Sequence, residues 1–240
     1  MLGITDIHCH ILPGVDDGPD HLEESLAMLR MEYEQGVRRI ILTPHYRRGY
    51  FETTREVVKE KYREVEAQVR ASGMELELYL GCELHRLNGM ADMLKQEKAF
   101  CMAATSYVLV EFSGHDTPDA IRHHITELLI HGYRPIIAHA ERYPALRDLK
   151  QIRFLADSGA CIQVNAGSIL GTEGWGNRQF CRRLLKEHLV DLIGSDAHGI
   201  RRRPPSLGMC ADWLVRKFGE DTARKLLIEN PQKIITNEYV

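Results

Sequence analysis

Short apolar, β-rich runs recur roughly every 25 to 40 residues along this chain, and amphipathic stretches fill the gaps between them. The runs are Leu2 to His8, Val37 to Thr43, Leu76 to Cys82, Tyr107 to Phe112, Pro135 to His139, Cys161 to Asn165 and Val190 to Ser195. Several carry apolar residues at successive positions, as in Ile40-Ile41-Leu42. That pattern fits strands buried on both faces, in a parallel sheet covered by helices.

The stretches between have helix grammar. Asp20 is placed to cap a helix with Leu22, Leu26 and Leu29 on one side and a stop near Gly36. Thr53 or Thr54 can open a long charged helix whose apolar stripe is Val58, Tyr62, Val65 and Val69, with Gly73 just past its end. Pro118, Pro144 and Pro231 suit first-turn positions. About seven β-α units follow one another with no linker or low-complexity segment, which predicts an α/β fold in one domain over residues 1–240. No Gly-x-Gly-x-x-Gly turn follows the first run, so a closed TIM-like β/α barrel is expected rather than an open doubly wound sheet.

Composition narrows the class. A net charge of −3 gives no whole-molecule field for nucleic acid. No apolar run approaches the 18 or so residues of a membrane helix. Met1 to His10 lacks a basic n-region and is broken by Asp6 and His8, so it does not read as a signal peptide and the expected compartment is the cytoplasm. The six cysteines form no Cys-x-x-Cys pair; Cys9, Cys82 and Cys161 sit in apolar strand-like runs, as reduced, buried thiols do.

The candidate chemistry lies at the strand ends. Asp6, His8 and His10 alternate, and in extended chain residues two apart share a face, so the two imidazoles can converge on one ion. Later runs end at Thr43-Pro44-His45, at Gly81-Cys82-Glu83, at His139 and at Ser195-Asp196-Ala197-His198, and the fourth contains Glu111. In barrels the C-terminal strand ends are where active sites assemble. Any one of these residues has an ordinary structural role open to it. Together they need counter-charge, which divalent cations provide. A mixed N/O donor set without thiolate favours Mn²⁺, Fe or Zn²⁺ and does not choose among them. The remaining histidines, His21, His115, His123, His124, His131 and His188, need only surface roles, and His85 is left outside the site.

Cys210 and Arg216 fit the Cys-x5-Arg spacing of cysteine-dependent phosphatases. The five residues between them contain no glycine to turn N–H groups toward a phosphate and read as helix, so that chemistry is rejected.

These residues resemble the polymerase and histidinol phosphatase (PHP) superfamily, and within it the bacterial manganese-dependent protein-tyrosine phosphatases of capsular and exopolysaccharide operons. The resemblance rests on Asp6-Ile7-His8-Cys9-His10, Val15-Asp16-Asp17-Gly18-Pro19, Phe51-Glu52-Thr53, Val110-Glu111-Phe112, Ala138-His139-Ala140-Glu141-Arg142-Tyr143, Ser195-Asp196-Ala197-His198, Arg203-Pro204-Pro205 and Asn230-Pro231-Gln232-Lys233-Ile234. It is weakest between Ala166 and Gln179, read as a loop.

The resemblance implies a distorted β/α barrel with three divalent metal ions, Mn for preference. His8, His10, Glu83 and Asp196 would hold the first; Glu83 would bridge to a second, completed by Glu111 and His139; Asp17, His45 and His198 would hold the third. Asp16 is the neighbouring alternative to Asp17. A metal-bridged hydroxide would attack phosphorus in line while Arg142 and Arg203 hold the phosphoryl oxygens. The implied partner is a tyrosine-phosphorylated protein, a tyrosine autokinase tail, with self-association left open. Arg47, Arg48, Arg201 and Arg202 read either as solvated loop charge or as a basic rim for an acidic tail. Two other readings stand beside this one: a small-molecule phosphoesterase such as a histidinol phosphatase, and a non-catalytic barrel that keeps metals for stability.

Overall fold

The computed structural model describes residues 3–240, which leaves Leu2 of the first run outside the described residues. Every strand pair is parallel, so each connection has to cross over, and helices supply the crossovers. The strands are β1 Ile4–Cys9, β2 Val37–Leu42, β3 His45–Tyr46, β4 Glu77–Leu80, β5 Glu83–His85, β6 Tyr107–Glu111, β7 Arg134–Ile137, β8 Cys161–Asn165 and β9 Leu192–Gly194. Nine strands replace the seven expected runs because two short strands lie just past the ends of their runs: Thr43 and Pro44 separate β2 from β3, and Gly81 and Cys82 separate β4 from β5. A Cβ on Gly81 would sit 2.9 Å from Met102 Sδ and 3.2 Å from Ile41 Cγ2, so a larger residue there would have to displace the Met102 side chain.

The sheet runs β1-β2-β4 and continues through the two short strands as β3-β5-β6-β7-β8-β9. The ring then closes. A Cys9–Ala197 bridge joins its two ends, with His10 N donating to Ala197 O at 2.9 Å and Asp196 N to His8 O at 2.8 Å. The expected barrel is thus present, distorted at the two breaks.

Alternate strand positions divide the core. Ile41, Leu109, Ile136 and Leu192 pack together with Ile234, while Ile40, Leu42, Val108, Ile137 and Ile193 join the larger cluster that includes the helices. Those helices include α1 Leu22–Glu34, α2 Arg55–Ser72, α3 Met90–Lys95, α4 Pro118–Ile130, α5 Leu149–Asp157, α6 Ala166–Leu170, α7 Trp175–Lys186, α8 Leu207–Phe218, α9 Glu220–Arg224 and α10 Asn230–Ile235. In α2 Val58, Val65 and Val69 are buried and Gly73 ends the helix at φ 72°, as the pattern predicts.

Pro231 sits in the first turn of α10 as expected, directly after a π-helical turn over Lys225–Glu229 that widens the coil where proline cannot donate to the preceding turn. Three expectations need correction. α1 begins after His21, and Asp20 lies outside the cap. The 166–179 segment is helical over much of its length, as α6 and the start of α7. His124 is buried, 5% exposed, facing the core side of α4.

Candidate metal centre

The alternation at the end of β1 brings His8 and His10 together as expected, their Nε2 atoms 3.3 Å apart. Each Nε2 lies 3.3 or 3.2 Å from Glu83 Oε2 and 3.6 Å from Asp196 Oδ1. The far side of each ring is tied down. His8 Nδ1 meets Gln163 Oε1 at 3.1 Å, and His10 Nδ1 meets Asp16 Oδ2 at 2.7 Å. An amide oxygen and a carboxylate only accept, so each Nδ1 carries a hydrogen and each Nε2 faces inward, where it can offer a lone pair once the ring is neutral. His198 is oriented the same way, with Nδ1 donating to Asp196 O at 2.8 Å.

Strand register supplies the next layer. β3 pairs with β5 so that His45 sits beside Glu83, and β5 pairs with β6 so that His85 sits beside Glu111. Glu83 is the hub: Oε1 is 2.8 Å from His139 Nε2 and Oε2 is 3.0 Å from His45 Nδ1. Glu111 Oε2 is 2.9 Å from His85 Nδ1 and 4.0 Å from His45 Nδ1. Asp17 Oδ1 lies 3.3 Å from His198 Nε2 and 3.5 Å from His45 Nε2. Its neighbour Asp16 turns away to accept from His10 and from His45 N.

All nine expected ligands therefore fall in one connected cluster. Their donor atoms form four overlapping groups, each within 4.8 Å: His8, His10 and Asp196; His8, Glu83 and His139; His45, Glu83 and Glu111; His10, Asp17, His45 and His198. The second set differs in detail, since His139 gathers with His8 and Glu111 with His45.

The donor chemistry fits divalent cations. His45 Nδ1, Glu83 Oε2 and His198 Nε2 are buried without a hydrogen-bond partner, although the first two face each other at 3.0 Å and the third faces Asp17 Oδ1 at 3.3 Å. Lone pairs converging on one space are favourable only with positive charge between them. Without an ion the same convergence draws protons instead: His8 and His10 both titrate above the ordinary histidine value, so a metal binding there has to displace a proton. Burial opposes charge on Glu83 and Asp196, yet His8 above all, with other cations around it, holds both carboxyls below their ordinary range. Burial likewise opposes charge on His10, but Asp16 and Glu83 outweigh it and push its pKa well up. Burial and the neighbouring His10 keep His45 and His198 below the ordinary histidine value, in the neutral form that can ligate.

Both expected arginines reach the same carboxylate. Arg142 Nη2 is 2.7 Å from Asp196 Oδ2 and Arg203 Nη1 is 3.3 Å from it. Backbone strain accompanies the convergence: His139, Asp196 and Arg203 have φ of 32°, 51° and 51°. Strand alternation alone would send His139 to the face opposite Ala138, and the left-handed turn ends that alternation.

Five participants were missed in the sequence. Gln163 holds both His8 and His139 N, the latter at 2.7 Å. Asn165 donates to Asp196 Oδ2 at 2.9 Å. Tyr143 O–H meets His139 Nδ1 at 3.0 Å. Glu173 accepts from Arg142 Nε and Nη2 at 3.1 and 2.7 Å. His85 contacts Glu111. Gln163 and Asn165 left a trace, as polar residues two apart in the one run without a ligand at its end; Glu173 left none.

Comparison with known proteins agrees with this geometry. The family described as capsular polysaccharide synthesis, CpsB/CapC, matches residues 4–236. The chain belongs to the CpsB/CapC family. Tyrosine-protein phosphatase CpsB of Streptococcus agalactiae is 34% identical over 243 residues, covering 99% of this chain and 100% of that protein. A chain from the crystal structures of YwqE from Bacillus subtilis and CpsB from Streptococcus pneumoniae, metal-dependent tyrosine phosphatases, superposes with a TM-score of 0.92 at 29% identity, covering 99% of this chain and 96% of that one. The phosphotriesterase homology protein from Escherichia coli shares the fold alone, with a TM-score of 0.61 at 15% identity over 96% of this chain and 98% of its own. The Cys210 alternative has no place in this family geometry: Cys210 is buried on α8 with its thiol pushed up to about 12 by burial.

Proposed function

We propose that this chain is a metal-dependent protein-tyrosine phosphatase acting on phosphotyrosine in a bacterial tyrosine kinase tail that governs capsule or exopolysaccharide synthesis. The observation that carries it is the lone-pair cluster around Glu83, set beside two arginines in a chain of the CpsB/CapC family. In this reading His8, His10, Asp17, His45, Glu83, Glu111, His139, Asp196 and His198 would hold three divalent ions, Mn²⁺ for preference. Such ions, when bound, supply charge for phosphoryl oxygens and lower the pKa of coordinated water.

The chain's own residues do the rest. Gln163, Asp16 and Tyr143 fix the imidazole orientations of His8, His10 and His139. Arg142 and Arg203 present forked donors that match phosphoryl oxygens, and both are anchored through Asp196 Oδ2, whose other oxygen faces His8 and His10. A tyrosyl phenolate, with a pKa of about 10, leaves without a strong general acid. Six free thiols suit the reducing cytoplasm. Arg48, Arg201 and Arg202 are exposed, and the latter two line a cleft shared with Asp20, Glu23 and Glu24, which makes them a poorer rim for an acidic tail than the sequence suggested.

The test is hydrolysis of a phosphotyrosine peptide before chelation, after it, and with Mn²⁺ restored, repeated with Asp196→Ala. Activity should vanish on chelation, return with metal, and stay absent in the variant. Activity surviving both treatments would overturn the metal mechanism, and faster turnover of histidinol phosphate than of the peptide would overturn the substrate class.

A further inference from the structure

Four histidines of the cluster are steadied from outside by hydrogen bonds: His8 by Gln163, His10 by Asp16, His139 by Tyr143 and His198 by the Asp196 carbonyl. His45 is different. Its two nitrogens face Glu83 and Asp17, and what lies against its ring is Phe51, stacked at 10° with centroids 5.4 Å apart. Phe51 is only partly buried, whereas Tyr143, the other aromatic ring recorded against a cluster histidine, is 2% exposed and engaged by both His139 and Phe112 N.

The loop carrying Phe51 is built to hold still. Arg47 and Phe51 exchange backbone hydrogen bonds, each 2.8 Å, and Gly49 N donates to Glu52 Oε2 at 3.0 Å. Thr53 Oγ1 donates to Val15 O at 2.9 Å, tying the loop to the segment that carries Asp16 and Asp17. Farther out, Tyr50 is 74% exposed under the Arg47 guanidinium, 4.4 Å from its ring centroid.

We propose that Phe51 is a specificity-determining residue: the wall on which the phenyl ring of an aryl phosphate stacks while its phosphoryl group meets the cluster. The inference rests on the phosphatase reading above and gives it a reason to prefer aryl over alkyl esters. One ester oxygen separates phosphorus from the ring, so the ring of a bound aryl phosphate lies in the first layer of side chains around the metal ligands. Phe51 belongs to that layer through His45, and it is only partly buried, so its ring is not wholly used by its neighbours and can offer apolar surface to a substrate ring. A phosphoserine, with only a methylene at that place, gains nothing from it.

The experiment measures binding rather than turnover. Benzylphosphonate, whose methylene stands in for the ester oxygen, and methylphosphonate are titrated calorimetrically into the Mn²⁺-loaded full chain, as wild type, Phe51→Ala and Phe51→Leu, with metal content measured for each. Wild type should prefer the phenyl-bearing probe. Phe51→Ala should weaken benzylphosphonate about 5- to 10-fold and leave methylphosphonate unchanged, with Phe51→Leu between the two. Equal loss of both probes, or lower metal content, would mean that Phe51 merely steadies His45 and would overturn the proposal, as would no loss at all or no phenyl preference in wild type. A selective phenyl loss in a chain that leaves phosphotyrosine peptides intact would instead retire the phosphatase reading while keeping the aryl-binding wall.

Discussion

Arg142 and Asp196 meet at 2.7 Å between Nη2 and Oδ2, and the other oxygen of the same carboxylate, Oδ1, faces the Nε2 atoms of His8 and His10 at 3.6 Å. A single side chain thus joins the proposed metal ligands to the proposed phosphate clamp. Glu173 grips the same guanidinium through Nε and Nη2 and is itself contacted by Ser168 Oγ at 3.2 Å. Gly167 leaves room for it, since a Cβ there would stand 2.6 Å from Glu173 Oε1.

This arrangement predicts coupled kinetics. A charged hydrogen bond contributes about 1.5–3 kcal/mol, so Arg142→Ala should lower kcat/KM for a phosphotyrosine peptide about 10- to 150-fold. Metal content should hold, because removing a cation beside Asp196 leaves that carboxylate more attractive to metal. Glu173→Ala should cost about 10-fold in the wild-type background by loosening the guanidinium, and nothing further in Arg142→Ala. A double-mutant cycle measures this; additive losses would show that Glu173 acts independently of Arg142.

The rejected thiol chemistry gives a second prediction. Cys210 is fully buried on α8, and burial pushes its thiol up to about 12, so almost no thiolate exists near neutral pH. Cys210→Ala should retain kcat/KM within about two-fold, since a small buried hydrophobe is replaced by another. A loss on the scale of Asp196→Ala would reopen the cysteine mechanism.

The sequence made the clustered His, Asp and Glu residues legible because their positions follow from strand periodicity and strand ends. His8 and His10 share a face, and His45, Glu83, Glu111, His139, Asp196 and His198 cluster at or just past the C-terminal ends of strands. What could not be read depends on chain conformation beyond local period. Glu173 reaches Arg142 from between α6 and α7, a segment whose pattern suggests only a loop. The two extra strands, β3 and β5, lie past the ends of their runs, beyond Pro44 and beyond Gly81-Cys82, and are too short to show as apolar periodicity. His124 is polar by type and buried by its place on α4, where tertiary packing overrides residue class.

A pH dependence of stability should arise beneath the site. Glu32 of α1 is fully buried with both carboxyl oxygens unpartnered, and burial together with the nearby Asp6 carboxyl raises its pKa well above the ordinary value. The folded chain therefore keeps a proton that the unfolded chain releases above about pH 4.5. Stability from this group is complete below that pH and is lost as pH rises toward the folded pKa, by at most about 1.4 kcal/mol per pH unit. Glu32→Gln removes the ionisation, so its stability relative to wild type should improve from pH 5 to pH 8 in paired urea denaturations. A difference that stays constant, or shifts the other way, would contradict the buried neutral carboxyl.

Gly194 tests how closely the ring must close around His8. It ends β9, and a Cβ there would lie 2.6 Å from His8 Cβ and 3.2 Å from Gln163 Nε2. A Cβ–Cβ clash cannot be relieved by a rotamer change, so the backbone of β1 or β9 has to move, an overpacking cost of about 1–3 kcal/mol. Because Gln163 also orients His8 Nδ1, that movement disturbs the imidazole on both sides. Gly194→Ala should therefore lower the melting temperature by several degrees and reduce metal bound per chain, read by calorimetry and elemental analysis. Gly176 is the control: it lies in α7 with open space around its missing Cβ and no left-handed backbone. Gly176→Ala should raise stability by about 0.5–1 kcal/mol and leave metal content unchanged. If both variants lost metal equally, the effect at Gly194 would be a general response to added bulk, and the close packing of β9 against His8 would not be what seats that ligand.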